Sequence, residues 1–575
     1  MHRFTVWAPK ADAVDLVLPG GSAPLERADG GWWVRDVAEA GHGTDYAFSV
    51  DGSSPMPDPR SAWQPEGVHG MSRVFDSARH PWTDCHWAGR DVRGAILYEL
   101  HVGTFTPEGT LDAAIGHLDH LVALGVQMVS LLPVAAFPGN YGWGYDGVDL
   151  YAVHEPYGGP EALQRFVDQC HSAGVAVCLD VVYNHLGPSG NYLDSFGPYF
   201  TDRHTTPWGP AVNLDDEGSA EVRRWICDNA LRWFRDFHVD ALRLDAVHAL
   251  ADDSPTHLLA QLATETAELA VRLGRPLGLV AESDLNDPRM VEPVSDGGLG
   301  MTAQWGDDFH HALHTLLTGE RAGYYADFGT PATLAKTLTR VFLHDGCYST
   351  FRGQDWGRPV DPARHRGHAF LAYTSNHDQV GNRALGDRPD LTPGQRAIAA
   401  ALTITSPFTP MLFMGEEWGA STPWRFFTDH PEPELAEAIR TGRHREFAEH
   451  GWDAETVPDP QDPATRDSSV LDWSELSEEP HRRLLSWYRD LLTLRAGSDD
   501  LQDDRLDSVG VDYDEAGSWL VVRRGELRIV VNLTASPLSV PLDHAPSYGV
   551  LDFDGVELEP AGIRLPAHGV ALVTA

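Results

Sequence analysis

Carboxylates and histidines occur in this 575-residue chain at the ends of short apolar runs, where a strand would leave the core. One such segment, DVVYNH, covers residues 180–185, and another, ALRLDAVH, covers residues 241–248. Two more, VAES and TSNHD, cover residues 280–283 and 374–378. An aspartate and a glutamate held close together can supply a nucleophile and a proton donor. These segments therefore favour nucleophilic and acid–base chemistry.

Eight nearly continuous apolar runs alternate with helical stretches after Gly94, and four of them end in these polar segments. Strands that helices bury on both faces have this character. Eight strand–helix repeats predict a (β/α)8 TIM barrel of the α/β class, in which the carboxyl ends of all strands meet at one face. A doubly wound sheet is the alternative. The runs cover residues 95–102, 126–134, 175–183, 239–246, 277–283, 301–305, 369–377 and 411–416.

Short alternating strands at both ends of the chain predict all-β domains on either side of the barrel. We place an N-terminal β-sandwich with a proline-rich linker at residues 1–90, the barrel at 91–497 and a C-terminal β-domain at 498–575. An insertion at 186–218 should follow strand three, and a second at 418–473 should follow strand eight. Both insertions should lie at the face where the polar segments meet.

The four polar segments resemble the signature motifs of the α-amylase superfamily of glycoside hydrolases, in the same order at the ends of strands three, four, five and seven. The resemblance spans the barrel. It implies that Asp245 is the nucleophile, Glu282 the general acid/base and Asp378 the stabiliser of the transition state. The residues that it assigns to the sugar at the scissile bond are His185, Arg243 and His377.

The residue types fit this chemistry on physical grounds. A retaining glycosidase needs two carboxyl groups about 5–5.5 Å apart, and Asp245 and Glu282 end adjacent strands. Glu282 must keep its proton until it acts, which burial and nearby negative charge can arrange, whereas Asp245 must be ionised. Arg243 lies two residues before Asp245 on the same strand. Its side chain therefore points to the same side of the pleat and can keep the nucleophile charged and oriented.

Aromatic residues in the segment YGWGYDG at 141–147 are candidates for stacking on sugar rings, which present apolar C–H faces. Tyr145 matches the superfamily position that stacks on the sugar at the cleaved bond. Trp143 is a second stacking candidate, with a place in the barrel core as the alternative for both residues.

We predict no required metal and no cofactor. Some members of the superfamily bind calcium through the asparagine of the strand-three motif, here Asn184, with help from a long acidic insertion. The insertion here is short, and Asp202, Asp215 and Asp216 do not form a dense set of oxygen ligands.

Further segments resemble the trehalohydrolase family, whose substrate is maltooligosyl trehalose. They cover residues 99–110, 141–147, 304–329 and 412–430. The resemblance implies cleavage of the α-1,4 bond next to the terminal trehalose, and functional pairing with the synthase that makes this substrate. Polar residues near strands four and six are candidates for recognising the trehalose end: His248 after strand four, and Asp307, Asp308, His310 and His311 after strand six. For the four residues after strand six, a capped helix start is the alternative. Gln379, beside Asp378, completes the predicted substrate-binding set.

Composition excludes several other classes of function. The formal charge is −41, so a nucleic-acid or anionic-membrane partner is disfavoured. The five cysteines form no CxxC pair, and the N-terminus shows no signal peptide, which favours a reducing, cytoplasmic location. The longest apolar stretch, 397–414, is interrupted by polar residues and prolines and should be buried core rather than a membrane span.

Two competing functions stay open at this point. A glycogen-branching or debranching enzyme would share the barrel and the carboxylates but act on an α-1,6 bond. A glycan-binding scaffold without catalysis would share the barrel alone, but the presence of all three predicted catalytic carboxylates argues against it.

Overall fold

The structure, a computed structural model, describes residues 1–207, 209–449, 456–514, 516–544, 546 and 548–574. Residue 208 of the first predicted insertion and residues 450–455 of the second lie outside the described residues, as do residues 515, 545, 547 and 575 of the predicted C-terminal domain. Among the described helices, none has both the length and the apolar character that a bilayer span requires.

Eight parallel strands close into a barrel, which confirms the predicted fold class and excludes the doubly wound alternative. Each strand is short and almost fully buried, as expected where helices cover the outer face and side chains fill the interior. In chain order the strands are β1 (Leu97–Leu100), β2 (Met128–Leu131), β3 (Ala176–Val181), β4 (Ala241–Leu244), β5 (Gly278–Ala281), β6 (Ala303–Trp305), β7 (Phe370–Tyr373) and β8 (Thr409–Phe413).

The register of the central strands brings their carboxyl ends to one level. Asp180 of β3 pairs with Arg243 of β4, and Arg243 pairs in turn with Val280 of β5. Asp245 and Glu282 each lie two residues beyond these partners. All four polar side chains therefore emerge at the same edge of the barrel.

The α-helices surround the barrel and fill its loops. They cover Val102–Phe105, Leu111–Ile115, Leu118–Leu124, Gly159–Ser172, Leu193–Phe196, Ser219–Asp236, Leu258–Leu273, Asp307–Thr318, Pro331–Arg340, His377–Gly381, Pro393–Ile404, Pro433–Glu449, Pro463–Asp467, His481–Gly497 and Asp499–Gln502.

Antiparallel sheets flank the barrel on both sides along the chain. Near the N-terminus, one sheet holds His2–Trp7, Trp32–Val37 and Glu26–Arg27, and the other holds Gly21–Pro24, Val14–Leu18, Asp45–Val50 and Ser72–Arg73. Near the C-terminus, a five-stranded sheet holds Val509–Tyr513, Trp519–Arg524, Leu527–Asn532, Val570–Thr574 and Tyr548–Asp552, and a smaller one holds Leu538–Pro541, Gly562–Leu565 and Glu557–Glu559. The domain boundaries after residues 90 and 497 stay predictions.

In the described part of the barrel loops, three hairpins occur. After β2, Ala135–Ala136 pairs with Asp149–Val153; after β3, Phe200–Thr206 pairs with Gly209–Val212; and after β6, Cys347–Ser349 pairs with Gln354–Trp356. The first predicted insertion contains the second of these hairpins.

The loop after β2 is fastened to the segment after β8. The indole Nε1 of Trp143 donates to the carbonyl of Arg425 at 2.9 Å, and both the backbone N and Nδ2 of Asn140 donate to Asp429. Gly139 adopts a φ of +76° against the backbone of Asp429, where an added Cβ would overlap the carbonyl oxygen. The close approach therefore requires glycine.

We predict that Gly139→Ala lowers the melting temperature more than Gly174→Ala does. Gly174 has a similar φ of +79° but open space around it, so its substitution meets only the left-handed backbone cost of about 1–2 kcal/mol. Gly139→Ala meets the same cost and a steric overlap with Asp429. Thermal unfolding followed by circular dichroism measures both variants, and equal losses would contradict the proposed fastening.

Candidate active site

The buried guanidinium of Arg243 lies at the centre of the polar cluster. Its Nη1 donates to Asp180 at 2.7 Å and to Asp245 at 2.8 Å, and its Nη2 lies 3.1 Å from Oε2 of Glu282. One face of the group covers the ring of Trp305, with 4.4 Å between Cζ and the ring centroid. Sharing one cation makes the carboxyl groups of Asp245 and Glu282 close neighbours, which is the arrangement that a double displacement requires.

The Asp245 carboxylate is fixed at both oxygens. Oδ1 accepts from Arg243, and Oδ2 accepts from Nδ2 of Asn184 at 3.1 Å. Asn184 is itself oriented by His185, whose Nδ1 lies 2.6 Å from its side-chain oxygen. A carboxylate held in this way has little freedom to turn away from an incoming carbon atom.

The Glu282 carboxyl group follows β5, and its Oε2 accepts from the backbone N of Ala246 at 2.6 Å. Burial raises its pKa to about 8; the negative charges of Asp245 and Asp378 act in the same direction, and Arg243 opposes them. Glu282 is therefore protonated at neutral pH and can donate a proton. Its side chain is 21% exposed, so it can reach a ligand in the cleft.

Asp378 lies at the first turn of the helix that follows β7 and is 38% exposed. Nε2 of the neighbouring His377 lies 3.4 Å from its Oδ2. Burial lowers the pKa of His377, but the carboxylates of Asp378 and Glu99 outweigh this effect and raise the pKa to about 9. A buried imidazolium thus lies beside the partly exposed carboxyl group of Asp378.

Tyr145, in the loop after β2, joins the same cluster. Its hydroxyl lies 2.8 Å from both Asp180 Oδ2 and His377 Nε2, and its ring stacks on that of His377. Nε2 of His185 lies 3.0 Å from the carbonyl of Tyr145, and burial lowers the pKa of His185. The structure therefore brings all four of the residues predicted to hold the sugar, His185, Arg243, His377 and Tyr145, together with the three predicted catalytic carboxyl groups.

Trp143 occupies the alternative place that the sequence left open for it. Its side chain is buried, and its ring stacks on that of Trp424 with 5.4 Å between centroids. Trp143 is thus a core residue behind Tyr145 and not a stacking surface for a ligand.

A second group of side chains, which becomes one wall beside the reacting groups, surrounds Asp284, two residues beyond Glu282. Nη2 of Arg352 donates to Asp284 Oδ2 at 2.7 Å, and the indole of Trp356 donates to the Asp284 carbonyl at 2.8 Å. Cζ of Arg352 lies 4.1 Å from the centroid of the Trp356 ring. His248 lies on the same wall, with its Nδ1 3.8 Å from Asp284 Oδ1.

Exposed aromatic side chains extend this wall. Tyr324 is 40% exposed and Phe351 is 55% exposed, and their rings are in edge contact. The charges of Asp307 and Asp378 reach the Tyr324 hydroxyl and help to raise its pKa, after the larger effect of burial. We call Tyr324, Phe351, Arg352 and Trp356 the aromatic wall.

The two aspartates predicted after β6, Asp307 and Asp308, have different surroundings. Asp307 accepts a short hydrogen bond from the Tyr373 hydroxyl, and burial raises its pKa to about 6. Asp308 is directed away from the cleft: its Oδ2 accepts from Asn286 Nδ2 and from the backbone N of Leu343 and His344.

His310 and His311 lie in the packing between the helix Asp307–Thr318 and the segment that follows it. His310 is fully buried, with Nδ1 2.6 Å from the Thr374 carbonyl and Nε2 2.9 Å from the Tyr325 hydroxyl. His311 packs against Tyr324, and burial lowers its pKa to about 3. The structure does not bring Asp308 and His310 to the cleft, because the helix turns both side chains into the core.

Gln379 completes a capping box. Its Oε1 accepts from the backbone N of Asn376 at 2.8 Å, while Asn376 Oδ1 accepts from the backbone N of Asp378 and Gln379. This cap fixes the first turn of the helix and therefore the position of Asp378. Gln379 thus acts on the site indirectly, because its side chain bonds the backbone that positions Asp378.

One group of side chains in the described part of the chain has ligand atoms close enough to hold a cation: His204, Asp215 and Asp253. Arg203 already lies 3.8 Å from Asp215 and 3.4 Å from Asp253, so positive charge is present there. The strand-three Asn184 uses its side chain on Asp245 and His185. We therefore assign no metal to either place.

Sequence reasoning missed several residues of the site. Asp180 and Glu99 are the next-to-last residues of β3 and β1. The strand-end pattern included Asp180 without giving it a role, and it could have selected Glu99 as well. The aromatic wall gave no comparable signal, since its hairpin residues follow no period and reach the cleft only through tertiary packing.

Comparisons with known proteins agree with this geometry. A family model described as the alpha-amylase catalytic domain matches residues 72–203, and one described as a domain of unknown function (DUF3459) matches residues 504–572. The chain is 55% identical to the malto-oligosyltrehalose trehalohydrolase of Arthrobacter ramosus, covering 100% of this chain and 99% of that protein. It is 54% identical to the malto-oligosyltrehalose trehalohydrolase of Mycobacterium tuberculosis, with the same coverage. Among solved structures, a putative alpha-amylase from Salmonella typhimurium matches with a TM-score of 0.91 at 37% identity, over 100% of this chain and 97% of that one.

The electrostatics of Glu282 predict that Glu282→Gln stabilises the chain in a pH-dependent way. The raised pKa, about 8 against the usual 4.5, means that the folded chain binds this proton more tightly than the unfolded chain. Its contribution to stability is complete below pH 4.5 and is lost as the pH rises through 8. The amide of the Glu282→Gln variant does not titrate, so the variant does not lose this stability as the pH rises. We expect equal stability near pH 4.5 and a gain of the order of 2–4 kcal/mol near pH 8.

Denaturant unfolding at both pH values measures this gain. Glu26→Gln, at an exposed strand residue, is the matched control and should leave stability unchanged. A gain for Glu282→Gln that does not vary with pH would contradict the assigned protonation.

Proposed function

Because the chain belongs to the malto-oligosyltrehalose trehalohydrolase family of α-amylase-like glycosidases, we propose that it hydrolyses the α-1,4 bond next to the terminal trehalose of maltooligosyl trehalose. The products are trehalose and a maltooligosaccharide. The observation that carries the proposal is the convergence of Asp245, Glu282 and Asp378 on one cleft, with Glu282 protonated at neutral pH.

In the first step, a carboxylate oxygen of Asp245 attacks the anomeric carbon of the glucose unit at the scissile bond. The bond to the trehalose oxygen breaks, and Glu282 gives its proton to that oxygen. Trehalose leaves, and the maltooligosyl unit remains as an ester of Asp245. In the second step, Glu282 takes a proton from water, which attacks the same carbon and releases Asp245. Two inversions give net retention.

The groups around the nucleophile support this sequence of events. Arg243 and Asn184 hold both oxygens of Asp245, so that its attack needs no reorientation. Asp378 and Tyr145 lie beside the cluster, where a carboxylate can stabilise the positive charge that develops on the sugar ring and an aromatic ring can cover its apolar face.

The aromatic wall supports recognition of the trehalose end. Glu282 protonates the leaving group, so trehalose must lie on its side of the scissile bond, where Asp284 carries Arg352 and Trp356. Exposed aromatic rings suit the C–H faces of a disaccharide, and the partly buried polar groups of Arg352, His248 and Asp307 suit its hydroxyl groups. We assign Tyr324 and Phe351 to stacking on the leaving disaccharide.

The proposal extends to the place of the enzyme in the cell. A synthase that converts the reducing end of a maltooligosaccharide into an α,α-1,1 linkage must supply its substrate, so we propose functional pairing with such an enzyme. All five cysteines are unpaired in the structure, which supports a reducing compartment, and we propose the cytoplasm.

The central test compares maltotriosyl trehalose with maltopentaose, which has the same number of glucose units. We expect trehalose and maltotriose from the first substrate, and a much lower kcat/KM on the second. Chromatography of the products measures both reactions. New α-1,6 branch points would instead support a branching enzyme, and equal rates on the two substrates would overturn the assigned specificity.

Asp245→Asn serves as the chemical control in this experiment. It keeps the size of the side chain but removes the nucleophile, so product formation should fall by at least about 10³-fold while the chain remains folded. Trehalose release at the original rate would show that another residue performs the attack.

The aromatic wall generates a second prediction about activity. Phe351→Ala should lower kcat/KM for maltotriosyl trehalose by about 10–100-fold, because an aromatic surface under the leaving disaccharide is lost. Hydrolysis of maltopentaose should change less. Tyr348→Ala is the matched control, since Tyr348 lies on the same hairpin and is 59% exposed. Equal losses on both substrates, or an equal loss from Tyr348→Ala, would remove Phe351 from the specificity site.

A further inference from the structure

Glu99 is a buried carboxylate behind the reacting groups, and the mechanism above does not use it. It lies on β1, only 3% exposed, and both of its oxygens contact one residue. Oε2 accepts from the backbone N of His377 at 2.9 Å, and Oε1 lies 2.8 Å from His377 Nδ1. This bidentate contact fixes both the backbone and the ring of His377.

The contact sets the direction of a chain of hydrogen bonds. His377 Nε2 lies 2.8 Å from the Tyr145 hydroxyl, which lies 2.8 Å from Asp180 Oδ2. Tyr145 has one hydroxyl hydrogen. When His377 is charged, Nδ1–H donates to Glu99 and Nε2–H donates to Tyr145, so the tyrosine can donate to Asp180.

A neutral His377 breaks this order. With its single proton on Nδ1 for Glu99, Nε2 becomes an acceptor, and Tyr145 must give its hydrogen to either His377 or Asp180. Asp180 Oδ2 keeps its hydrogen bond from Arg243 in either case. One of the two short contacts of the Tyr145 hydroxyl is nevertheless left without a hydrogen, so two electron-rich atoms face each other at 2.8 Å in a buried place. The charge on His377 therefore supplies the hydrogen that allows both short contacts of the Tyr145 hydroxyl to be hydrogen bonds.

We propose that Glu99 is a positioning residue for the reaction, whose carboxylate keeps His377 charged and oriented beside Asp378 and the sugar at the scissile bond. This inference rests on the proposed glycosidase function. It adds a residue that touches neither the sugar nor the reacting carboxylates and acts through His377.

The charged and titratable groups that face His377 come from six elements of the barrel. Negative charges on Glu99 and Asp378 favour the imidazolium, whereas burial, Arg243 and His101 disfavour it. Among the residues that the structure describes, those with a contact or a charge effect on His377 are Glu99 of β1, His101 after β1, Tyr145 after β2, Asp180 of β3, Arg243 of β4 and Asp378 after β7. Removing the charge of Glu99 leaves Asp378 as the main group that opposes desolvation. The pKa of His377, about 9 in the wild type, must then fall.

The test is the ratio of kcat/KM between wild type and Glu99→Gln as a function of pH, with maltotriosyl trehalose as substrate. The charge on His377 should differ least between the two proteins at pH 5.5, and we expect a ratio of about 1–3 there. At pH 7.5 only the wild type keeps the charge, and the ratio should rise by at least about tenfold. Titration of Glu282 occurs in both proteins and largely cancels in the ratio.

Glu417→Gln is the matched control. Glu417 is another fully buried glutamate close to a histidine, with its Oε1 2.8 Å from His120 Nε2 and an additional bond from the Tyr98 hydroxyl. It lies in the turn Glu416–Trp418 after β8, and its hydrogen bonds go to Tyr98 and His120 rather than to His377, so its loss should give a ratio that is constant with pH. Glu99→Asp, which keeps the charge, should likewise show a loss that is independent of pH.

A direct spectroscopic measurement accompanies the kinetics. The ¹⁵N shifts of the His377 imidazole, assigned by difference from His377→Gln, should titrate at a higher pH in the wild type than in Glu99→Gln. A ratio that is flat with pH, together with an unchanged titration, would overturn the role of Glu99. Absence of trehalose release by the wild type would instead overturn the proposed function. If Glu99→Gln fails to fold, the imidazole titration in Glu99→Asp should stay near that of the wild type, and a large fall would reject the proposal.

Discussion

The buried guanidinium of Arg243 is the interaction on which the site depends. It brings the carboxyl groups of Asp180, Asp245 and Glu282 together in a place with little access to solvent. Without the cation, these groups would repel each other, and burial would drive them to their neutral forms. Trp305 covers one face of the guanidinium and limits the access of water, which strengthens each of these contacts.

The barrel provides this arrangement through register and pleat alone. Residues 243 and 245 share one side of β4 because side chains alternate along a strand, and the parallel pairing of β3, β4 and β5 sets their ends at one level. Both rules are local or nearly so. The barrel, and the placing of Arg243 and Asp245 on one side of β4, could therefore be predicted from the sequence. The roles of Asp245, Glu282 and His377 came from the resemblance of the four motifs to the α-amylase superfamily.

The residues that sequence reasoning misplaced depend on tertiary packing. Asp308 and His310 share a helix with Asp307, and only the docking of that helix decides which side chains face the cleft and which enter the core. Phe351 and Arg352 sit on a hairpin whose own sequence shows no sign of the wall that it joins. A sequence pattern indicates the periodicity of a helix or strand, but the packing of that helix or strand against the rest of the fold decides which way its side chains point.

The groups that break the bond and the groups proposed to select the substrate therefore lie on different parts of the fold. The groups that break the bond lie on or directly after the strands, where buried backbone hydrogen bonds hold them rigidly. The aromatic wall lies on loops and a hairpin, and the hydrogen bonds of Asp284 with Arg352 and Trp356 connect it to the segment after β5. A change of leaving group therefore requires new loops on an unchanged barrel. Glu282 lies two residues from Asp284 and so connects the reacting groups with the aromatic wall. The proposed proton donor is therefore close to the wall that is proposed to hold the leaving disaccharide, which accepts the proton.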